Sequence, residues 1–108
     1  IKELKEHFWS NVKIPGSSDS INSEIEKATR VADYLEFAEL MCQDALARNE
    51  SCGAHFRVEY QTEENEALRN DRDFSFVSAW QYQGSKPAKL HKEPLNFTEV
   101  QPTIRSYR

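Results

Sequence analysis

Apolar positions set the first elements. Ile1, Leu4, Phe8 and Val12 recur at helical spacing while Lys2, Glu3, Lys5 and Glu6 fall on the other face, which predicts a helix from Ile1 to about Asn11. Ile14, Pro15, Gly16, Ser17, Ser18, Asp19 and Ser20 then concentrate turn formers, so the chain turns there. From Ile21 through Ile25, Ala28, Ala32, Leu35, Ala38, Cys42, Ala45 and Leu46 the apolar steps alternate between four and three, the signature of a long amphipathic helix. Ser23 with Glu26 forms a capping-box candidate at its start, and Asn22 or Ser20 can serve instead. Glu26 with Arg30 and Asp44 with Arg48 stand four apart, acid first, each contributing about 0.3 kcal/mol when exposed. Val31, Tyr34, Phe37, Leu40 and Met41 widen the stripe beyond what the short first helix covers, so something else is expected to pack there.

Past Gly53 the pattern changes. Residues 54–60 hold Phe56, Val58 and Tyr60 at alternate positions and predict a short strand or extended arm. Residues 61–73 carry seven charged side chains and only Ala67 and Leu68 as apolar ones, a solvated loop. Residues 74–82 alternate Phe74, Phe76, Trp80 and Tyr82 with small or polar partners and give the best strand. Gly84, Ser85, Lys86 and Pro87 turn the chain, and 90–100 returns as a partner strand that Pro94 restricts to an edge or a break. The tail after Val100, ending in Tyr107 and Arg108, has no period and is expected to fray. The sum is an α+β fold: a helical hairpin or small helical bundle with one long helix, followed by a small antiparallel β-hairpin. All 108 residues form one domain, helical over 1–50 and mixed strand and loop over 51–108.

Composition narrows the function classes. With 14 Lys and Arg against 18 Asp and Glu, a net charge of -4 and basic residues scattered along the chain, there is no face to displace counterions from nucleic acid. Mean hydropathy is -0.79, and no window approaches the roughly 20 apolar residues of a bilayer-spanning helix. The opening residues lack a signal peptide's apolar centre. Two cysteines ten residues apart, Cys42 and Cys52, are too few for a disulfide framework and match no usual zinc spacing, which fits free thiols in a reducing cytosol. The chain opens on Ile1 and its single methionine is Met41, so a fragment or processed product is expected.

The densest polar run is 48–57. Cys52 with His55 is a nucleophile-and-base candidate of undefined geometry across a glycine. Cys42, Cys52, His55 and His91 make no recognised metal set. The reading preferred is structural: Gly53 lets the backbone leave the helix in a left-handed or otherwise restricted conformation, hydrogen bonds from Glu50, His55 and Arg57 fix the exit, and Ser51 belongs to the same structural motif. His7 and His91 read as solvent-facing, and Trp9, Trp80, Phe74, Phe76 and Tyr82 as core rather than a ligand pocket. With only Gly16, Gly53 and Gly84 there is no phosphate loop and no nucleophile elbow. No catalytic, cofactor-binding or metal-binding residue is assigned.

The run from Ala28 to Met41, continued by Asp44 through Arg57, resembles the C-terminal domain of the succinate dehydrogenase and fumarate reductase flavoprotein subunit. Glu59-Tyr60-Gln61-Thr62, Glu66 to Arg69, Ala79 to Tyr82, His91 to Leu95 and the closing Arg105-Ser106-Tyr107 extend the resemblance over nearly the full chain. Its most specific piece is Glu-Ser-x-Gly-Ala-His, in which the wider family, aspartate oxidase included, commonly has arginine at x. Cys52 stands there instead, so no role resting on a guanidinium at that position carries over. The cysteine form with the following Gln61-Thr62-Glu63 resembles one bacterial branch of the family, from which Val58 departs, since that branch tends to carry an acid there.

The resemblance implies a larger parent enzyme that interconverts succinate and fumarate. Its upstream flavin-binding and capping domains would carry the covalent FAD and the dicarboxylate-binding His, Arg and Thr, none of which matches a position here. The implied partners are those domains and an iron-sulfur subunit, with the membrane anchor reached only indirectly, and no nucleic acid. The implied place is the cytoplasm, at the inner face of the cell membrane. This chain alone would bind no FAD and be inactive. The rival readings are a free-standing module that lays the long helix into a partner's groove, and the matching domain of a relative such as aspartate oxidase.

Overall fold

The computed structural model describes residues 1–17 and 19–106; the turn position Ser18 and the terminal Tyr107 and Arg108 lie outside the described residues. The elements in order are α1 (Lys2–Asn11), α2 (Ser23–Ala47), α3 (Asp71–Phe74), β1 (Phe76–Gln81) and β2 (Lys89–Pro94), an α+β chain with one long helix and one antiparallel hairpin. It divides into two compact units, Ile1–Leu46 and Ala47–Arg108. No helix among the described residues is long and apolar enough to cross a membrane.

In the first unit α1 ends where Val12 turns extended, ahead of Pro15, whose ring disfavours helix in the residue before it. The α2 start is held by Asn22: its side-chain oxygen accepts from the Glu24 N–H at 3.0 Å and its amide donates to the Pro15 carbonyl at 2.9 Å. Ser23, the first capping candidate, is instead the first helical residue, because a cap must sit one step outside the helix to offer its oxygen to the second amide within. The 25 residues of α2 span about 37 Å. The stripe is only partly covered: Ala32 and Leu35 are buried, whereas Val31, Tyr34, Phe37 and Met41 are exposed. Glu26 pairs with Arg30 along the surface.

Lys5 of α1 links to α2, its Nζ lying 2.9 Å from Glu39 and 3.2 Å from Glu36. The hydrogen bond to Lys5 holds the Glu39 carboxyl below its ordinary 4.5, and the bonds to Glu39 and then Glu36 raise Lys5 above 10.5. A carboxyl with a lowered folded pKa contributes stability above its unfolded value and loses it as pH falls through the folded one; a raised lysine contributes below its unfolded value and loses it as pH rises through the folded one. Lys5→Met should therefore reduce helical ellipticity and thermal midpoint relative to the parent chain at neutral pH. That difference should shrink once pH drops below about 4.5, as Glu39 protonates. A difference unchanged at acid pH would show that the ion pair does not hold α1.

In the second unit the 54–60 segment forms no strand. Cys52 and His55 exchange backbone hydrogen bonds of 2.8 and 3.1 Å around a tight turn, and the Tyr60 N–H closes another on the Arg57 carbonyl at 2.9 Å. Extended propensity in Phe56, Val58 and Tyr60 is outweighed by these local closures, since β-propensity reports fit to a neighbouring strand and no strand among the described residues pairs with this segment. Residues 61–73 are more ordered than their charge suggests. The Thr62 N–H donates to Glu66 at 2.8 Å and the Leu68 N–H to Tyr60 at 3.1 Å, with Asn65 in the left-handed region at φ 62°. Asn70 caps the single turn α3 by accepting from the Asp73 N–H at 3.3 Å.

β1 pairs with β2 from Phe76 opposite Pro94 to Gln81 opposite Lys89. Both strands are shorter than the pattern predicts, because Phe74 belongs to α3 and Pro94, lacking an N–H, ends the ladder. Phe76, Ser78 and Trp80 face inward and half-buried, while Val77, Ala79 and Gln81 face out. Of the aromatics expected in the core, Trp9 and Tyr82 are exposed.

Candidate functional site

The polar run following α2 folds into a buried knot. Glu50 is 2% exposed and Ser51 is fully buried, the only buried polar residues among those described. Such burial is tolerated only where each polar atom finds a partner. One oxygen of the Glu50 carboxylate accepts from Arg48 Nη1 at 2.7 Å, and the other from the Asn70 backbone N–H at 2.9 Å. Arg48 further donates to the Phe74 carbonyl at 3.1 Å and the Phe76 carbonyl at 3.2 Å. Its guanidinium carbon sits 5.7 and 5.1 Å from the centroids of those two rings, within cation–π range. The rings themselves are tilted against each other at 5.9 Å. One arginine thus ties the segment after α2 to the start of the hairpin. Its planar fork suits several acceptors at once in a way a lysine would not.

Ser51 ties the same segment to the next turns. Its hydroxyl accepts from the Arg57 N–H at 2.8 Å and donates to the Arg57 carbonyl at 3.2 Å, while its own N–H donates to the Leu68 carbonyl at 2.9 Å. His55 and Arg57 converge on one acceptor: His55 Nε2 donates to the Arg48 carbonyl at 3.0 Å and Arg57 Nη1 to the same oxygen at 3.3 Å. Arg57 also reaches the Asn49 side chain at 2.8 Å and Glu59 at 3.0 Å. The Glu59 carboxyl lies below its ordinary value, first through its own backbone amide and then through Arg57.

Gly53 has φ +59°, but it does not end the helix, which stops at Ala47. It occupies the first central position of the Cys52–His55 turn, where a left-handed residue followed by one of negative φ is the II′ pattern that favours glycine. A Cβ there would meet nothing within 4 Å, so only backbone strain opposes a side chain. Gly53→Ala should cost about 1 kcal/mol, read as a lower urea midpoint. A midpoint unchanged from the parent would mean the turn relaxes freely.

Of the five residues singled out from the sequence, Glu50, Ser51, His55 and Arg57 are joined by hydrogen bonds through Arg48 and Arg57, and Gly53 sits in the adjoining Cys52–His55 turn. The network also takes in Arg48, which opens the polar run, and adds Leu68, Asn70 and the Phe74 and Phe76 carbonyls, partners the pattern does not point to. Arg48 reads as a helix-surface partner of Asp44, yet it lies beyond the helix end. Cys52 is a free, half-buried thiol, and the His55 ring nitrogen Nε2 addresses the Arg48 carbonyl. His91 sits on the exposed hairpin, 2.8 Å from the Gln81 side chain. Among the described residues no three of His, Cys, Asp and Glu gather as a metal set.

The knot's charged groups are satisfied by one another. The three glycines stand in separate turns at 16, 53 and 84, and Asn22 rather than a glycine-rich strand-to-helix turn opens α2. A dinucleotide pyrophosphate needs such a turn for close backbone approach.

The chain is α+β, and its second unit is organised on a buried Glu-Ser knot. The family model described as fumarate reductase flavoprotein C-term matches residues 1–107, and the chain belongs to this family. It is similar to the fumarate reductase flavoprotein subunit of Helicobacter pylori, 32% identical over 99% of this chain and 15% of that protein. The corresponding subunit of Haemophilus influenzae is 26% identical over 99% of this chain and 17% of its own length. The chain thus spans less than a fifth of these relatives. No solved structure matches.

Proposed function

We propose that the chain is a supporting and docking domain of a fumarate reductase or succinate dehydrogenase flavoprotein subunit, one domain with a helical part over 1–50 and a mixed part over 51–108. In this reading FAD and the dicarboxylate chemistry belong to other domains of the subunit, electrons pass to or from an iron-sulfur partner, and the assembly works at the cytoplasmic face of the membrane through its partner subunits. The observation that carries the reading is the inward closure of the motif: the Glu50 carboxylate and the Ser51 hydroxyl are buried on their own chain's partners rather than turned toward a ligand. Glu50, Ser51, Gly53, His55 and Arg57 then act by holding shape. The purified chain, mixed with FAD and with succinate or fumarate, should retain no yellow flavin on gel filtration and pass no electrons to or from a dye. Stoichiometric flavin retention would overturn this division of roles.

A further inference from the structure

We draw no further inference here: the strongest candidate, the apolar face that α2 leaves exposed along Val31, Tyr34, Phe37 and Met41, carries nothing because nothing in the structure shows what covers it.

Discussion

Glu50→Ala should lower the stability of the second unit by about 3 kcal/mol, the low end of what breaking a buried ion pair costs. The substitution removes both acceptors at once. Asn70 loses the oxygen 2.9 Å from its N–H, and Arg48 keeps its charge beside the Phe74 and Phe76 rings without the carboxylate that neutralises it. The Arg48 side chain is 21% exposed, so water relieves part of the penalty and the estimate stays near 3 rather than 5 kcal/mol. Glu50→Gln keeps the shape and one acceptor and should lose roughly half as much. In a Trp9→Phe background, urea unfolding followed by Trp80 fluorescence reads this unit directly. A midpoint for Glu50→Ala equal to the parent's would show that the knot does not hold the hairpin. Arg48→Met should recover part of the loss when combined with Glu50→Ala, since the pair is removed together rather than one charge being stranded.

How much of this was legible beforehand follows from how local each signal is. The short α1, the long α2 and the inward set Phe76 and Trp80 of β1 rest on periodicity within a few turns of chain, and the structure keeps them. The family resemblance is likewise borne by contiguous residues. Arg48 fails that test: beyond Glu50, the carbonyls it reaches lie 26 and 28 residues away, and the same i,i+4 spacing to Asp44 offers a plausible local alternative. The 54–60 segment misleads for the same reason. Its alternation of aromatic and β-branched residues is real, but a strand needs a neighbour, and Ser51 turns the backbone at Arg57 back on itself instead. Charge in 61–73 conceals order because backbone groups carry much of it, through the Leu68 carbonyl and the Asn70 N–H. Turn chemistry was visible at Gly53, though its place was not: positive φ is a property of the residue, whereas helix exit or hairpin apex depends on where α2 stops.

Ser51→Val should be as damaging as Glu50→Ala, by a different route. The parent hydroxyl makes two bonds to one residue, and they are not equal. The Arg57 carbonyl also accepts from the Tyr60 N–H at 2.9 Å and keeps that partner, whereas the Arg57 N–H loses the oxygen 2.8 Å away. Ser51→Ala therefore costs mainly one hydrogen bond in a fully buried place, about 1–2 kcal/mol. Valine adds two methyl groups where only a hydroxyl fitted, a further 1–2 kcal/mol or so of overpacking. Ser51→Thr keeps the oxygen and adds one methyl, so it separates the two effects: if hydrogen bonding dominates, Thr lies close to the parent, and if packing dominates, Thr falls with Val. Hydrogen exchange at the Arg57 amide, expected to speed up in Ala and Val but not in Thr, assigns the loss to that bond. Equal exchange in all four proteins, with unchanged midpoints, would mean the segment is held from elsewhere and the Glu-Ser motif does not organise this unit.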